Sequence, residues 1–329
     1  VTEEIVIKMA KEAKRLTKSD YLCLSGGVAL NCVANGKIVR NKIFKNVWIQ
    51  PASGDAGGSL GAALAFWHQE LAKPRLVNKL KDNMNGSYLG PEFDEKLIEK
   101  NLDKLGANFT KYESESVNDK IAHELNNGKI IGWFQGRMEF GPRALGGRSI
   151  LADPRSEKMQ KQLNLKIKFR ESFRPFAPSI LREDLSEWFE LDTDSPYMLI
   201  VSEVKKEKQI KMSKEDEKLF GIDKLNIKRS SIPAITHVDY SARIQTVHKE
   251  TNSRYYDLLK EFKKNTNCPV LVNTSFNVRG EPIVCSVTDA FNCFMGTNLD
   301  MLVIEDFILF KEQQDKSLLK DYKNKFELD

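Results

Sequence analysis

The segment from Gly132 to Pro178 constrains this chain most, because it joins the end of an apolar strand to glycine turns and a dense set of guanidinium groups. Between Arg137 and Arg174 it holds ten Lys or Arg side chains against four Asp or Glu, a local charge of +6. The whole chain carries only +5, so the residues outside this window sum to about −1. The positive charge therefore belongs to one region of the chain and not to the chain as a whole.

Arginines and glycines in this combination indicate an anion-binding site. A guanidinium group binds phosphate or carboxylate through two parallel hydrogen bonds, and glycines let backbone N–H groups approach the same oxygens. The glycines among the basic residues are Gly136, Gly141, Gly146 and Gly147. For a single arginine here, an ion pair that holds a loop together is an equally good interpretation. For the cluster as a whole, we expect a site for a polyanionic ligand.

At 329 residues, the chain is long enough for two domains, and its 41% apolar content is that of an ordinary soluble protein. No apolar run has the length of a membrane span, so a membrane is not expected as a partner. The five cysteines form no CxxC pair, which indicates reduced, buried thiols and a cytoplasmic protein. A helix is predicted from residue 2 with no strand before it, so we expect the sequence to be a piece of a longer protein.

A strand, a glycine pair and a helix follow one another near the N-terminus: 21–25, Gly26-Gly27 and 28–40. The first turn of a helix offers backbone N–H groups without partners, so this arrangement suits a nucleotide phosphate or a ribose. Glycine turns between strands and helices are common, and this feature alone does not establish a nucleotide site.

A second strand, 47–50, ends in a glycine-rich turn that contains Asp55 and leads into a helix over 59–70. A carboxylate at the carboxyl end of a strand is a candidate ligand for a metal or for a metal-bound phosphate. Capping of the following helix is the other interpretation, and the spacing does not separate the two.

The rest of the chain alternates helices and strands beyond a polar segment, 76–90, that we interpret as a linker. Further helices are predicted over 92–103, 116–127, 157–166, 255–264 and 287–295. Strands are predicted over 129–134, 198–202, 234–239, 243–247, 269–273 and 301–310. Residues 203–231 are expected to form a surface insertion, and the charged tail from Lys311 a helix.

Polar groups also follow strands outside the arginine-rich segment. His237 could act as a base or a phosphate donor, or it could be hydrogen-bonded within a sheet. Ser275 and Asn277 follow the strand 269–273 and have the small polar groups that hold a phosphate or ribose. Turn-forming residues produce the same composition, so this interpretation also stays open.

Five motifs resemble the O-carbamoyltransferase family, which includes nodulation-factor and antibiotic-tailoring enzymes. They occupy, in order, residues 25–31 (SGGVALN), 51–58 (PASGDAGG), 139–146 (EFGPRALG), 168–178 (KFRESFRPFAP) and 273–282 (NTSFNVRGEP). The resemblance implies a mixed α/β fold. Residues 1–75 would be the end of an ASKHA-type (actin-like ATPase) domain, 76–90 a linker, and 91–329 a YrdC-like domain with a twisted mixed sheet and helices. Most of the ASKHA-type domain would then have no counterpart in this sequence.

The resemblance implies an enzyme, an O-carbamoyltransferase. The YrdC-like domain would use ATP, Mg²⁺ and carbamoyl phosphate to form carbamoyl-adenylate. The ASKHA-type domain would then pass the carbamoyl group to a hydroxyl of a small-molecule or sugar acceptor. The arginine-rich segment suits this chemistry, because basic groups stabilise the charge that develops on a triphosphate as pyrophosphate leaves. We expect the fragment to be limited to the adenylation half-reaction.

By the same resemblance, Lys168 and Arg170 form a Lys-x-Arg pair, and Ser275 and Asn277 a Ser-x-Asn element around the nucleotide. The residues predicted to act in catalysis are Lys168, Arg170 and Arg137. The candidates for nucleotide binding are Arg143, Arg148, Arg174, Ser275, Asn277, His237, Arg243, Gly26, Gly27 and Asn31. Gly26, Gly27 and Asn31 would belong to the site that receives the adenylate. Arg174 has a second interpretation, as a packed structural arginine, and Tyr240 stands where the family usually has glycine.

Asp55 matches one ligand of the Fe²⁺ ion that the family binds. A single carboxylate does not make a tight metal site, so we do not expect this sequence to retain iron.

Two other functions stay open. The first is an RNA-binding or tRNA-modifying YrdC-like module, whose binding would weaken steeply with salt. Nucleic acid is not expected as a partner, since the glycines interleaved with the basic residues favour a pocket. The second is a sugar- or acetate-kinase-like ASKHA protein, which would release ADP. The family resemblance also allows a homodimer.

Overall fold

The computed structural model describes residues 1–77, 82–225, 227–323 and 325–326. Part of the predicted linker, 78–81, lies outside these residues, as do positions 226, 324 and 327–329 of the predicted second domain. None of the helices in the described ranges is long and apolar enough to cross a membrane.

Helices occur along the whole described chain. They are α1 (Thr2–Thr17), α2 (Cys32–Arg40), α3 (Ala56–Ala65), α4 (Glu95–Lys104), α5 (Ser114–Asn126), α6 (Met159–Gln162), α7 (Leu185–Trp188), α8 (Gly221–Leu225), α9 (Ser253–Thr266) and α10 (Val287–Gly296). Helices α3 and α6 each continue as a π-helical turn, at Phe66–Glu70 and Leu163–Ile167.

Strands are short, and most of them are buried. They are β1 (Tyr21–Leu24), β2 (Asn46–Ile49), β3 (Thr110–Lys111), β4 (Ile131–Phe134), β5 (Arg148–Ala152), β6 (Ala177–Leu181), β7 (Ile200–Glu203), β8 (Ser241–Val247), β9 (Val270–Ser275), β10 (Met301–Ile304) and β11 (Phe307–Phe310). Every residue of β4, β5, β6 and β10 is buried. Both faces of the sheet are therefore covered at these strands.

One large sheet has the strand order β3-β11-β10-β4-β5-β9-β6-β8-β7, and β1 and β2 form a separate parallel pair. Strand β10 is parallel to β4, and β6 is parallel to β8, whereas the other neighbours are antiparallel. Helix α10 packs against β10 and β4, and α9 against β6 and β9. The predicted mixed α/β class, with a mixed sheet and helices, is confirmed.

The N-terminal segment packs against the β7 edge of the large sheet through α2. Asn35 on α2 donates its side-chain amide to the carbonyl of Leu199 at 3.0 Å. Gly36 comes so close to β7 that a Cβ atom there would lie 2.1 Å from the carbonyl oxygen of Val201. A side chain at position 36 would therefore force α2 away from the sheet.

Three predictions of secondary structure, two of strands and one of a helix, were wrong. The predicted strand 301–310 is the hairpin β10–β11, because Glu305 takes a positive φ of 48° and turns the chain. The predicted strand 234–239 begins as a 3₁₀ turn at Pro233–Ile235, where Pro233 has no N–H to donate to a sheet. The tail from Lys311 forms short 3₁₀ turns, Lys311–Gln313 and Lys316–Leu318, in place of a longer helix.

Candidate functional site

Two adjoining cavities lie where β9 ends. The first, which we call the outer cleft, has a volume of about 400 Å³ and is lined by Lys168, Arg170, Arg174, Ser275, Asn277 and residues 278–282. The second, the inner cavity, has about 190 Å³. It is more enclosed, and its charged lining residues are Arg143, Arg170 and Arg243. Arg170 and Ser275 line both, so the two cavities form one continuous basic site.

Strand β9 supplies the polar floor of this site. Successive residues of a strand point to opposite faces, so Asn273 and Ser275 lie on the same face of the sheet. Asn273 lines the inner cavity, and Ser275 lies at the junction with the outer cleft. The predicted Ser-x-Asn element therefore lies at the strand end, as the sequence indicates.

Lys168 ties the two residues of this element together. Its ammonium donates to the backbone carbonyl and hydroxyl of Ser275, the latter at 3.2 Å, and to the backbone carbonyl and side-chain oxygen of Asn277, both at 2.8 Å. The side chain is only 3% exposed. Burial, followed by the positive charge of Arg170, lowers the pKa of Lys168 to about 7. Lys168 thus changes its charge in the neutral pH range.

Arg170 is held from the side of α6. Its Nε donates to the side-chain oxygen of Asn164 at 2.6 Å, and its guanidinium lies 5.0 Å from the ring centroid of Phe176. Burial, followed by the charge of Arg174, lowers the pKa of Arg170 to about 10. The group is therefore still a cation at neutral pH, with a fixed direction into both cavities.

Asn164 is a residue whose importance the sequence did not signal. It is fully buried, and its side-chain nitrogen donates to the carbonyls of Gln160, Ser172 and Arg174. This one amide therefore shapes the loop that carries Arg170. The oxygen of the same amide accepts from Arg170, so a single side chain sets both the loop and the guanidinium.

Arg143 and Arg243 meet at the inner cavity, next to the N-terminal segment. Arg143 Nη2 lies 3.8 Å from the Sγ of Cys32, and the Arg243 guanidinium also contacts this thiol. Burial, followed by the charge of Arg143, lowers the pKa of Arg243. Cys32 is the first residue of α2, so the N-terminal segment contributes directly to the wall behind these arginines.

Glu139 organises the loop that presents Arg143. The sequence indicated no such role for Glu139, which was only one of the acidic residues in the segment and the first residue of a family motif. Its buried Oε1 accepts backbone N–H groups from Leu145 at 2.6 Å, Gly147 at 2.8 Å and Arg148 at 3.3 Å. A carboxylate that collects three backbone donors fixes the path of a turn. The motif at 139–146 thus folds around its own first residue.

Two predicted arginines do not line the site. Arg137 lies at the surface, where it pairs with Glu92 at 2.6 Å and donates to the carbonyl of Gly90. Arg148 is fully buried: it donates to backbone carbonyls of the turn 135–147 and of Pro91, and stacks 3.5 Å from the ring centroid of Phe134. Both therefore have structural partners, but only Arg137 forms the ion pair that the alternative interpretation of single arginines describes, because the hydrogen-bond partners of Arg148 are backbone carbonyls. Arg174 lines the outer cleft and also pairs with Glu171 at 2.9 Å.

His237 does not line either cavity. It is mostly buried beside Asp239, its backbone N–H donates to the carbonyl of Ser241 at 2.9 Å, and burial lowers the pKa of its imidazole. Tyr240, in the same turn, takes a φ of 62°, which lies in the region that favours glycine. This positive φ explains why glycine suits position 240 better than tyrosine does.

The glycine pair and Asn31 lie apart from the cleft lining. Gly26 takes a positive φ of 93° at the end of β1. Asn31 caps α2, since its side-chain oxygen accepts the N–H of Ala34 at 3.1 Å. The predicted helix 28–40 is therefore divided at Asn31, with a 3₁₀ turn, Gly27–Leu30, before it.

Asp55 is exposed and makes no capping hydrogen bond to α3. Within the described part of the chain, no group of three or more His, Cys, Asp or Glu side chains could hold a metal ion. The residues present therefore do not fit the ferrous site that the family resemblance implies.

The pKa of Lys168 leads to a pH-dependent prediction. A lysine is charged only below its pKa, so the affinity for an anion in the outer cleft should fall as the pH rises through about 7. Above that pH the dissociation constant should rise by up to about tenfold per pH unit. Sulfate suits the calorimetric titration, because its own charge is constant in this range. Lys168→Met should remove this slope, and a slope that persisted in the variant would assign the titration to another group.

Comparison with known proteins identifies the family. The family model described as "Carbamoyltransferase C-terminus" matches residues 122–311, and the one described as "Carbamoyltransferase N-terminus" matches residues 1–64. The Synechocystis protein sll1178 is 57% identical over 332 residues, which cover 100% of this chain and 54% of the relative. Nodulation protein NolO of Bradyrhizobium diazoefficiens is 42% identical and is matched over 94% of this chain and 53% of its own length.

A third relative is 3'-hydroxymethylcephem-O-carbamoyltransferase of Streptomyces clavuligerus, which is 30% identical over 93% of this chain and 52% of its own length. The chain thus spans about half the length of the curated relatives it matches. Among solved structures, full-length HypF in the phosphate- and nucleotide-bound form matches with a TM-score of 0.37 and 16% identity, over 61% of this chain and 22% of HypF. That similarity is too weak to support a conclusion about ligand or fold.

The two family models together cover more than half of the chain, and they agree with the resemblance of its five motifs to O-carbamoyltransferases. The chain belongs to the carbamoyltransferase family.

Proposed function

We propose that this chain contains the adenylating site of an O-carbamoyltransferase and forms carbamoyl-adenylate from ATP and carbamoyl phosphate. The observation that carries the proposal is the convergence of Lys168, Arg170, Ser275 and Asn277 on one cleft of about 400 Å³. A cleft of this size with converging cations and small polar groups suits a nucleotide polyphosphate. The family supports carbamoyl transfer as the reaction class.

The proposed reaction balances with one water molecule. Water and carbamoyl phosphate give carbamate and inorganic phosphate. An oxygen of carbamate then forms a bond to the α-phosphorus of ATP as the bond to the pyrophosphate oxygen breaks. That electron pair leaves with pyrophosphate. Each carbamoyl-adenylate therefore accompanies one phosphate and one pyrophosphate.

The proposed role of the protein is electrostatic. Arg170, at the junction of the two cavities, is placed to contact both the small donor and the triphosphate. Lys168 would hold Ser275 and Asn277 in position and add its charge to the outer cleft. Mg²⁺ would arrive with ATP and neutralise part of the triphosphate charge. Such fixed cations stabilise charge that develops on the leaving pyrophosphate and require no protein nucleophile.

The second half-reaction in this proposal uses a hydroxyl acceptor. The acceptor oxygen forms a bond to the carbamoyl carbon, the bond between that carbon and the AMP oxygen breaks, and the hydroxyl proton is released. The relative from Streptomyces clavuligerus has a hydroxymethylcephem in its name, which supports a hydroxyl as the acceptor group here. Because the relatives are about twice as long, we limit the proposed activity of this chain to adenylate formation.

The nucleotide product tests this proposal. With ATP labelled at the α-phosphate, Mg²⁺ and carbamoyl phosphate, we expect labelled carbamoyl-adenylate and AMP, with phosphate and pyrophosphate in equal amounts. AMP then comes from hydrolysis of the adenylate. ADP as the labelled product would overturn the proposal in favour of a kinase-like reaction.

A further inference from the structure

The side chain of Asn273 has an unused hydrogen-bond acceptor. Its nitrogen donates to the carbonyl of Ala144 at 3.2 Å, to Ser179 Oγ at 3.0 Å and to Gln245 Oε1 at 2.8 Å. Three acceptors around one atom define which end of the amide is the nitrogen. The oxygen at the other end is buried and has no hydrogen-bond partner among the described residues.

A buried acceptor without a partner is costly, so its place in the fold matters. Asn273 is 1% exposed and lines the inner cavity, two residues before Ser275 on the same face of β9. Its nitrogen is engaged by the protein, so the oxygen is the end of this side chain that has no partner among the described residues. The orphaned acceptor therefore lies on a side chain of the cavity wall.

The charged groups of this cavity are all hydrogen-bond donors. Arg143, Arg170 and Arg243 can donate to the oxygens of an anion, whereas the oxygen of Asn273 requires a donor on the ligand. A ligand that satisfies the whole cavity must combine anionic oxygens with at least one hydrogen-bond donor, an N–H or an O–H group. The cavity volume of about 190 Å³ is less than half the 400 Å³ of the outer cleft, which suits a small acid better than a whole nucleotide.

We infer that the side-chain oxygen of Asn273 accepts a hydrogen bond from the amide nitrogen of the carbamoyl donor, and that Asn273 selects carbamoyl groups over other acyl groups. This inference rests on the proposed function. The carbamoyl NH₂ supplies the donor, and the carbonyl and phosphate oxygens of the same small molecule face the arginines. Asn273 is thus a specificity-determining residue for the donor.

Acetyl phosphate provides the matched probe. It has the shape of carbamoyl phosphate with CH₃ in place of NH₂, and its adenylation balances in the same way with one water molecule. With acetyl phosphate bound, the oxygen of Asn273 stays without a partner. A site built to bond an N–H group rejects a ligand that lacks it, so we expect the protein to favour carbamoyl phosphate by at least about tenfold.

The test measures pyrophosphate release from ATP with each donor, and the readout is the ratio of the two rates. Asn273→Leu, which has nearly the same size and no acceptor, should lower this ratio at least about tenfold. Gln245→Met is the control, because Gln245 shares the hydrogen-bond network of Asn273 and does not line the cavity. Its ratio should stay within about twofold of the wild-type ratio, because the nitrogen of Asn273 keeps its hydrogen bonds to Ala144 and Ser179. A purely structural role of Asn273 would alter both rates and leave the ratio unchanged.

The outcomes separate this inference from the proposed function. If neither donor supports pyrophosphate release, the proposed function fails. If both donors support it equally in the wild-type protein, the function stands and the assignment of Asn273 is overturned. A folded Asn273→Leu protein that keeps the wild-type ratio overturns it as well. Should that variant not fold, Asn273→Ala takes its place with the same expected ratio, and the wild-type ratio still decides.

Discussion

Arg170→Gln is expected to slow carbamoyl-phosphate-dependent pyrophosphate release by about 10²–10³-fold. Arg170 lines both cavities and is held by Asn164 and Phe176, so its charge is directed before the substrates bind. Removal of one such preorganised donor from a site where charge develops typically has this effect. The measurement is the steady-state rate of pyrophosphate release at saturating ATP.

Arg137→Gln is the matched control for this prediction. Arg137 comes from the same basic segment and has the same charge, but it pairs with Glu92 at the surface. We expect its activity to stay within about twofold of wild type, because exposed ion pairs contribute little. Equal losses in the two variants would mean that the charge of the whole segment matters and that the cleft does not.

Arg148→Met should lower the free energy of unfolding by about 3–5 kcal/mol, because four backbone carbonyls would each lose a hydrogen bond, and those of Gly147 and Pro91 would keep one backbone donor. Arg148 is fully buried, and burial lowers the pKa of its guanidinium to about 10, so it is still charged at neutral pH. Methionine fills similar space without any hydrogen-bond donor. Urea unfolding followed by circular dichroism measures the change.

Arg137→Gln again serves as the comparison, with an expected loss below about 1 kcal/mol for an exposed pair. If the loss of unfolding free energy for Arg148→Met were as small as that for Arg137→Gln, water would have to reach the four carbonyls. Arg148 would then be available to a ligand, as its prediction as a candidate for nucleotide binding requires.

The residues at the centre of the candidate site could be predicted from the sequence because they depend on local features. Ser275 and Asn277 lie at a strand end, and an apolar run followed by small polar residues indicates such an end. Lys168 and Arg170 are two residues apart in a motif, so their proximity needs no long-range information. The convergence of these two motifs on one cleft followed from the family resemblance and is present in the structure.

The roles of the other basic residues depend on distant partners. Arg137 is paired by Glu92, which lies 45 positions earlier in the chain, and no local pattern indicates that contact. Arg148 looks like any other cation of the segment, yet it lies in a central buried strand, β5. Strands β5 and β6 were missed because charged and proline residues flank or interrupt their short apolar runs.

The structure also bears on the alternative of an RNA-binding module. Several cations of the arginine-rich segment are paired with carboxylates, including Arg155 with Asp153 and Arg174 with Glu171. Lys168, Arg143 and Arg170 instead line cavities. This arrangement favours a small polyanion in a pocket over a long phosphate backbone across a surface.

The most direct test of the account is pyrophosphate release by the chain given ATP and Mg²⁺, with and without carbamoyl phosphate. The account predicts release that depends on carbamoyl phosphate, with one inorganic phosphate for each pyrophosphate. Release that is equal with ATP alone would contradict it, since no adenylate of the donor would then be formed. No release, in a protein that binds ATP by calorimetry, would also contradict it, because the cleft would hold the nucleotide without carrying out the proposed reaction.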